Sequence, residues 1–250
     1  MIAVDDSAPP KCFTFQPTIY DRVQELLPKD RDVRILDVGA GEGYMCRRLK
    51  DLGYQVEACD AVPQQFKCPD VPFIEVDLTR PMPIADGQYD CVIGIEVVEH
   101  MENHFHFVRD LIRVTKPGGL IILTTPNILS FSSRFNHLLY GYTDCAPFPL
   151  DPILDEYYLE HINPISVPEM LFLFERFGAD LERLTTNRLR RGCWLPMILF
   201  YPILWLAIRL KFLRKRDAQH HALRRRHIRW VLHPANLMGR ITIAVARKRS

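Results

Sequence analysis

No Cys-x-x-Cys pair occurs in this chain of 250 residues, although it holds seven cysteines, at 12, 46, 59, 68, 91, 145 and 193. That scatter indicates neither a cysteine-based zinc site nor a disulfide framework, and reduced thiols in a cytosolic protein are the expectation. The first residues do not pair a charged stretch with an apolar run, so no secretory signal is expected. No internal repeat or low-complexity tract is found. No uncharged run reaches the roughly 20 residues that a simple membrane span needs. Acidic residues are nearly missing from the last quarter. Residues 188–250 hold one, Asp217, against 16 Lys and Arg, a balance of +15, whereas residues 1–187 hold 29 acidic and 16 basic side chains, a balance of −13. The net charge of +2 hides this segregation. Such a division marks a segment that meets an anionic surface, and membrane phosphates or nucleic acid are both candidates. With 48% hydrophobic and 25% charged residues, the chain is globular rather than disordered.

What is present reads as alternating strands and helices. A loose lead-in over 1–12 and a short helix over 18–27 precede the apolar run Val33–Val38, the pattern of a buried parallel strand. A glycine-rich turn and a helix over 44–52 follow, ended by Gly53. Further strands are expected over 54–59, 73–76, 89–95, 120–124, 181–186 and 241–246, and helices over 103–115 and 130–140. Lys116-Pro117-Gly118-Gly119 reads as a tight turn. Residues 141–164 are Pro-rich and acidic, and read as a lid-like loop. Ser166-Val167-Pro168-Glu169 is a capping box opening a helix that Gly178 closes. Alternation of this kind means a doubly wound α/β fold, with ligands at the C-terminal edge of a mostly parallel sheet.

Three glycines, Gly39, Gly41 and Gly43, let the backbone turn sharply and approach a ligand ahead of a helix N-terminus. The dinucleotide fingerprint is incomplete, because Tyr44 stands at its third glycine. Asp37 ends the preceding strand, where a carboxylate repels a pyrophosphate but suits a cationic ligand. Asp60 ends the second strand and could accept from ribose hydroxyls. Asp77 ends the third and could accept from an adenine amino group. Either acid alone also reads as a helix cap or a solvated turn. Tyr44 and Asp37 together argue against a nicotinamide dehydrogenase.

Five segments at ordered spacing, LDVGAGEG at 36–43, CD at 59–60, VDL at 76–78, YDCVIGIEVVEHMEN at 89–103 and LIRVTKPGGLIILTTPN at 111–127, resemble class I S-adenosylmethionine-dependent methyltransferases. The nearest flavour is the small-molecule and lipid O-methyltransferase group that includes ubiquinone-pathway enzymes. The resemblance is strong over 33–127 and weak over 160–187. It implies a Rossmann-like sheet of seven strands, mostly parallel, with an antiparallel pair at the end. It implies that Asp37, Gly39, Gly41 and Gly43 cradle the methionine part of S-adenosyl-L-methionine and that Asp60 holds the ribose. Asp77 and Leu78 would flank the adenine, and Glu96 would line the pocket near the sulfonium. The cofactor carries an ammonium and a sulfonium but no phosphate, so a carboxylate-rich pocket suits it.

Methyl transfer requires alignment and, for a hydroxyl acceptor, removal of a proton. His100 in EVVEH and His161 in LEHINPIS are the candidate bases. His104 and His106 read as helix-surface residues. Asp155, Glu156 and Glu160 read as solvating the lid, and no metal is expected. Residues 192–208 lack any charge, are flanked by Arg188, Arg190 and Arg191 and by Arg209, Lys211, Arg214, Lys215 and Arg216, and carry Trp194, Tyr201 and Trp205. Basic residues on both sides disfavour a crossing, and a re-entrant or interfacial membrane element is expected. A buried core helix with a solvated basic flank is the alternative.

The expected organisation is a methyltransferase core over 1–187, with a lid at 141–164. An apolar and basic insert follows over 188–239, and 240–250 is the final strand. The expected activity is O-methylation of a lipid-linked or amphipathic acceptor, such as a quinone precursor or a lipid-carried glycan. It is placed peripherally on the cytoplasmic membrane face, with contact through 192–230. A protein or RNA methyltransferase and a non-catalytic membrane-attached scaffold are the rivals. Nucleic acid is disfavoured because Trp230 alone accompanies the basic run at 224–229.

Overall fold

A computed structural model of the chain describes residues 17–143, 161–212 and 218–250. The lead-in over 1–12, most of the lid, Asp155, Glu156, Glu160 and residues 214–217 lie outside the described residues. Seven strands form one sheet: β1 (Arg34–Val38), β2 (Gln55–Asp60), β3 (Phe73–Glu75), β4 (Tyr89–Ile95), β5 (Thr115–Pro126), β6 (Ala179–Thr185) and β7 (Ile241–Lys248). Their order across the sheet is β3-β2-β1-β4-β5-β7-β6. The first five pair in parallel, and β7 runs antiparallel to both of its neighbours. The helices are α1 (Pro17–Gln24), α2 (Tyr44–Asp51), α3 (His104–Val114), α4 (Phe131–Tyr140), α5 (Val167–Phe177), α6 (Trp194–Phe212), α7 (Ala218–Val231) and α8 (Pro234–Met238). This is the doubly wound α/β sheet that the strand–helix alternation predicts.

The central strands alternate strictly between two cores. On β1, Ile35 faces one side and Leu36 and Val38 the other; on β4, Cys91 and Ile93 face the first side and Val92 the second. One core is closed by α1 and α2 through Ile19, Val23, Met45 and Leu49. The other is closed by α3 and α5 through Phe107, Leu111, Leu171 and Phe174, with Trp230 of α7. Strands buried on both faces must be apolar throughout, which explains the continuous runs in the sequence. Asp37 breaks that rule, buried among apolar neighbours on the α2 side.

Three local expectations need correction. Residues 116–119 do not form a free tight turn. Thr115 already pairs with Tyr89, and β5 runs through the segment with a register shift before Leu120. The capping box at Ser166 is half made. Ser166 accepts from the Glu169 N–H, but the Glu169 carboxylate leaves the cap for His104 Nδ1 at 3.0 Å. His104 is therefore a buried residue and not a surface one. Its Nε2 lies 2.8 Å from the Asn163 carbonyl oxygen, so both ring nitrogens are engaged.

Strand order reverses beside β1. The chain runs outward through β2 and β3, then returns to lay β4 on the other side of β1. β1 and β4 stay paired to Val38 and Gly94, but the chain leaves β1 for α2 on one face and β4 for α3 on the other, so their loops part around a crevice, the usual ligand position in open α/β sheets.

Candidate active site

The loop from β1 to α2 forms one wall of that crevice. Gly39 and Ala40 donate their N–H groups to the Cys59 carbonyl oxygen at 2.8 and 3.2 Å, which ties the loop to the end of β2. Asp60 secures it further: one carboxylate oxygen accepts from Gly41 N–H at 2.8 Å and the other from Val62 N–H at 3.1 Å. All three glycines have positive φ: +71° at 39, +53° at 41 and +83° at 43. Their surroundings differ. A Cβ on Gly39 would lie 2.4 Å from Val97 Cγ2, and one on Gly43 would lie 2.8 Å from both Cys68 Sγ and Phe66 Cε2. A Cβ on Gly41 would meet nothing within 4 Å. Gly39 and Gly43 therefore serve the protein's own packing, whereas Gly41 fronts open space, where a bound molecule can approach the backbone.

Beneath the loop lies Asp37. Its carboxylate accepts from Cys46 Sγ at 3.1 Å, a weak donor. Burial pushes the Asp37 carboxyl up to about 7, and the nearby charge of Asp60 adds to the rise. A buried acid with a thiol for a partner gains from a cation, because the cation stabilises its ionised form. Asp77 is differently placed. It is exposed, and its Oδ1 accepts from both the Thr79 N–H and the Thr79 hydroxyl, which lower its carboxyl below the usual range. Its Oδ2 lies 3.3 Å from Arg80. Leu78, next along, packs its partly buried side chain on the core.

The opposite wall begins where β4 ends. Glu96 adopts φ +56°, the one non-glycine residue at positive φ among the described residues. Such strain survives only where the surroundings over-determine it. Here the Glu96 N–H donates to the Thr124 hydroxyl at 3.0 Å, while that hydroxyl donates to Glu96 Oε1 at 2.8 Å. Burial raises the Glu96 carboxyl to about 7, against the lowering effect of Thr124 and the more distant Arg240. One turn on, Glu99 is fully buried, and neither of its carboxyl oxygens has a hydrogen-bond partner among the described residues. The buried Thr125 hydroxyl faces it without a bond of normal geometry. Burial first, and the charge of Glu96 second, hold the Glu99 carboxyl well above its ordinary range.

His100 and His161, 61 residues apart in sequence, meet here. Their ring centroids are 4.9 Å apart, edge to face, and His161 Nε2 lies 4.0 Å from Glu99 Oε1. Asn163 makes the meeting possible. Its N–H donates to the Glu99 carbonyl oxygen at 3.0 Å, and its side-chain amide donates to the Met101 and Glu102 carbonyl oxygens, both at 3.1 Å. With His104 gripping the Asn163 carbonyl, the end of the lid segment is stitched onto the turn after β4. Glu99, His100 and His161 also offer ligand atoms within 4.8 Å of one another, the one such metal-capable group among the described residues.

Sequence reasoning singled out both histidines without joining them. It gave no role to Thr124, Thr125, Asn163 or Cys46, and took Glu99 only as a carboxylate neighbouring His100. Glu99 was visible as the second acid of Glu-x-x-Glu-His. The threonines and Asn163 carried no sequence signal, because their roles depend on contacts across the sheet.

The sequence profile of a family described as "Methyltransferase domain" matches residues 14–184. A probable S-adenosylmethionine-dependent methyltransferase of Mycolicibacterium smegmatis is 26% identical over 152 residues, covering 59% of this chain and 52% of the relative. A ubiquinone biosynthesis O-methyltransferase of Maricaulis maris is 34% identical over 104 residues, covering 38% and 41%. The chain thus spans only about half the length of these curated relatives. Among solved structures, an S-adenosylmethionine-dependent methyltransferase from Mesorhizobium loti superposes with a TM-score of 0.55 at 16% identity, covering 92% of this chain and 98% of that one. That likeness concerns the fold alone.

Proposed function

The chain belongs to the methyltransferase-domain family, and from that premise we propose that it transfers the methyl group of S-adenosylmethionine to a hydroxyl of a lipid-linked or amphipathic acceptor at the cytoplasmic membrane face. The observation that carries the chemistry is the buried, unpartnered Glu99 carboxyl beside two histidines, across the crevice from a glycine loop backed by Asp37. Open space over Gly41 and the acid set fit the cofactor: it needs cation-stabilising carboxylates and, having no phosphate, no basic cradle.

When bound, the cofactor supplies an electrophilic methyl on a sulfonium, open to in-line attack. The chain's own residues divide the remaining work. Asp37, with the backbone of Gly39, Gly41 and Gly43, would hold the cationic methionine part. Asp60, already fixed by Gly41 and Val62, would accept from the ribose hydroxyls. Leu78 and Asp77 would flank the adenine, Asp77 through Oδ2, since Thr79 occupies its Oδ1. Glu96 would sit near the sulfonium. His161 or His100 would take the acceptor's hydroxyl proton, with the buried Glu99 carboxyl 4.0 Å from His161 Nε2 beside the imidazolium so formed. An acceptor hydroxyl also gives the orphaned oxygens of Glu99 and Thr125 a partner, which a buried polar group favours.

The acceptor class is suggested by the apolar helix α6, packed on α8 and on the start of α4, at the same end of the sheet. A quinone precursor or a lipid-carried glycan has the required amphipathic character, and similarity to a ubiquinone-pathway O-methyltransferase favours the former. Incubation of the protein and methyl-labelled cofactor with separate lipid, RNA and protein extracts tests the reading. Label in the lipid fraction supports it, and label confined to RNA or protein assigns the polymer alternative. Absence of cofactor binding by calorimetry would leave a non-catalytic scaffold.

A further inference from the structure

Helix α6 runs for 19 residues, Trp194–Phe212, and is apolar on every side until Arg209. One stripe is docked. Cys193, just ahead of the helix, and Met197, Tyr201 and Leu204, spaced by three or four residues, pack with Phe131 of α4 and with Leu237 and Met238 of α8, and Ile208 is buried one turn further on. Phe200 adds ring contacts to Phe131 and Phe135 at centroid separations of 6.5 and 5.7 Å. The rest of the circumference is bare: Leu195 is 65% exposed, Ile198 68% and Ile203 62%, with Trp194, Leu199 and Leu206 also open. One helical turn beyond Phe135, Leu138 and Leu139 continue this surface, 77% and 67% exposed. An apolar patch of this extent on a soluble face marks a binding surface.

We propose that α6 lies flat in the headgroup region of an anionic phospholipid bilayer, with the end of α4 as a second contact. By length and composition the segment Arg191–Lys211 could cross a membrane. Its packing argues otherwise. The stripe docked on α4 and α8 runs from Met197 to Leu204, the middle of the segment, so a crossing would drag α4, α8 and their polar atoms into hydrocarbon. Lying flat, the helix keeps the exposed Arg188 and Arg191 at one end and Arg209 and Lys211 at the other, all at phosphate level. Arg209 over the Trp205 ring, 4.5 Å from its centroid, is the arrangement of an interfacial pair. A second copy of the chain is a poorer occupant. A partner helix covers a narrow stripe and not most of the circumference, and a two-fold contact would set basic clusters against each other. The membrane-face part of the proposed function rests on this surface, whereas the methyl-transfer chemistry does not.

The test uses the full chain and vesicles of phosphatidylcholine alone or mixed with phosphatidylglycerol. Co-sedimentation is expected with the anionic vesicles and at least about tenfold less with neutral ones. The double variant Ile198→Asp, Ile203→Asp alters only exposed positions, and should lose about tenfold or more in vesicle affinity while keeping its helical circular dichroism and cofactor affinity. If that variant does not fold, Arg209→Gln with Lys211→Gln should still reduce the preference for anionic vesicles. Trp194 and Trp205 fluorescence should be quenched best by lipids brominated near the headgroup. Strongest quenching from bilayer-centre bromines would overturn the flat placement. Failure of the wild-type chain to sediment, or a dimer that the double variant splits, would overturn the bilayer. Cofactor binding measured on the same sample separates either failure from failure of the methyltransferase reading.

Discussion

In its proposed place beside the cationic methionine part, Asp37 should tie cofactor affinity to pH. In the ligand-free protein burial lifts its carboxyl from the usual 3.8 to about 7. A cationic ligand binds well only to the ionised form. The apparent dissociation constant is therefore the intrinsic one divided by the ionised fraction. That fraction rises from about 0.03 at about pH 5.5 to about 0.5 at about pH 7, so affinity should improve about fifteenfold across this window. The window lies below the titration of the ligand's own amino group, at about 8. Binding in it should also release a proton, because the bound cation pulls the Asp37 carboxyl back down. Titration calorimetry at several pH values, in buffers of different ionisation enthalpy, reads both quantities. In Asp37→Asn the slope should flatten to the share due to Glu96, also held near 7. Stability should move the opposite way. An acid whose folded-state pKa is raised costs nothing below its unfolded value and destabilises as pH climbs through the folded one. The variant should thus gain on the wild type between about pH 4 and pH 7, by up to about 4 kcal/mol as an upper bound. Equal pH slopes in the two proteins would refute the reasoning.

Asp60→Ala should weaken cofactor binding by roughly 1.5–3 kcal/mol, since it removes charge-assisted bonds to the ligand as well as the support of Gly41; an unchanged calorimetric affinity would remove Asp60 from the site. Gly39→Ala should lower thermal stability by about 1–3 kcal/mol, because its Cβ collides with Val97 at a positive φ, whereas Gly41→Ala should cost only about 1 kcal/mol of stability and still lose cofactor affinity. His161→Asn or His100→Asn, whichever is the base, should reduce kcat by about 10²–10⁴-fold with cofactor affinity intact. His104→Ala should act through stability alone, and added hydroxylamine or imidazole should not restore it. A chelator should leave turnover unchanged; a loss restored by a divalent cation would make Glu99, His100 and His161 ligands and not a proton relay.

The sheet was legible because its strands are buried on both faces and must read as unbroken apolar runs. The glycine loop was legible because only glycine tolerates its backbone. The sequence could not show which glycine serves the ligand: Gly39 and Gly43 are demanded by Val97 and by Phe66 with Cys68, partners remote in the chain. His104 was misread for a similar reason. At the first position of a helix it has surface character by spacing, and only the fold brings Asn163 and Glu169 onto its ring. Glu169 was likewise taken from its cap by a partner 65 residues away. Local patterns thus found the elements, and the errors fall where one side chain had to choose between a near partner and a distant one.

The same topology explains why a long apolar and basic excursion could be lodged between β6 and β7. Those strands are adjacent and antiparallel, so their connection needs no crossover and can take almost any length. The chain leaves β6 at Thr185 and regains β7 at Ile241, and the two ends of the excursion are pinned close together. Leu189 bridges to Gly239, and the Arg240 N–H donates to the Arg188 carbonyl oxygen at 3.1 Å. Gly239 sits so tightly that a Cβ would lie 2.2 Å from the Ala235 carbonyl oxygen. From the sheet side, the Asn127 amide reaches the carbonyl oxygens of Ala235, Asn236 and Gly239 at 3.2, 2.8 and 2.9 Å. One buried side chain at the end of β5 thus anchors α8, and α8 seats α6. Loss of this anchor in Asn127→Ala would take the side-chain donor from the Asn236 and Gly239 carbonyl oxygens, while that of Ala235 keeps the Gly239 N–H, and should cost about 1–3 kcal/mol. It should loosen α6 from the domain before it disturbs the glycine loop, which hangs on β1 and β2. Hydrogen exchange should then rise first in 189–208 and 232–239, with protection of 36–46 retained. Simultaneous loss of protection in both regions would show that the excursion and the glycine loop are one cooperative unit and not two.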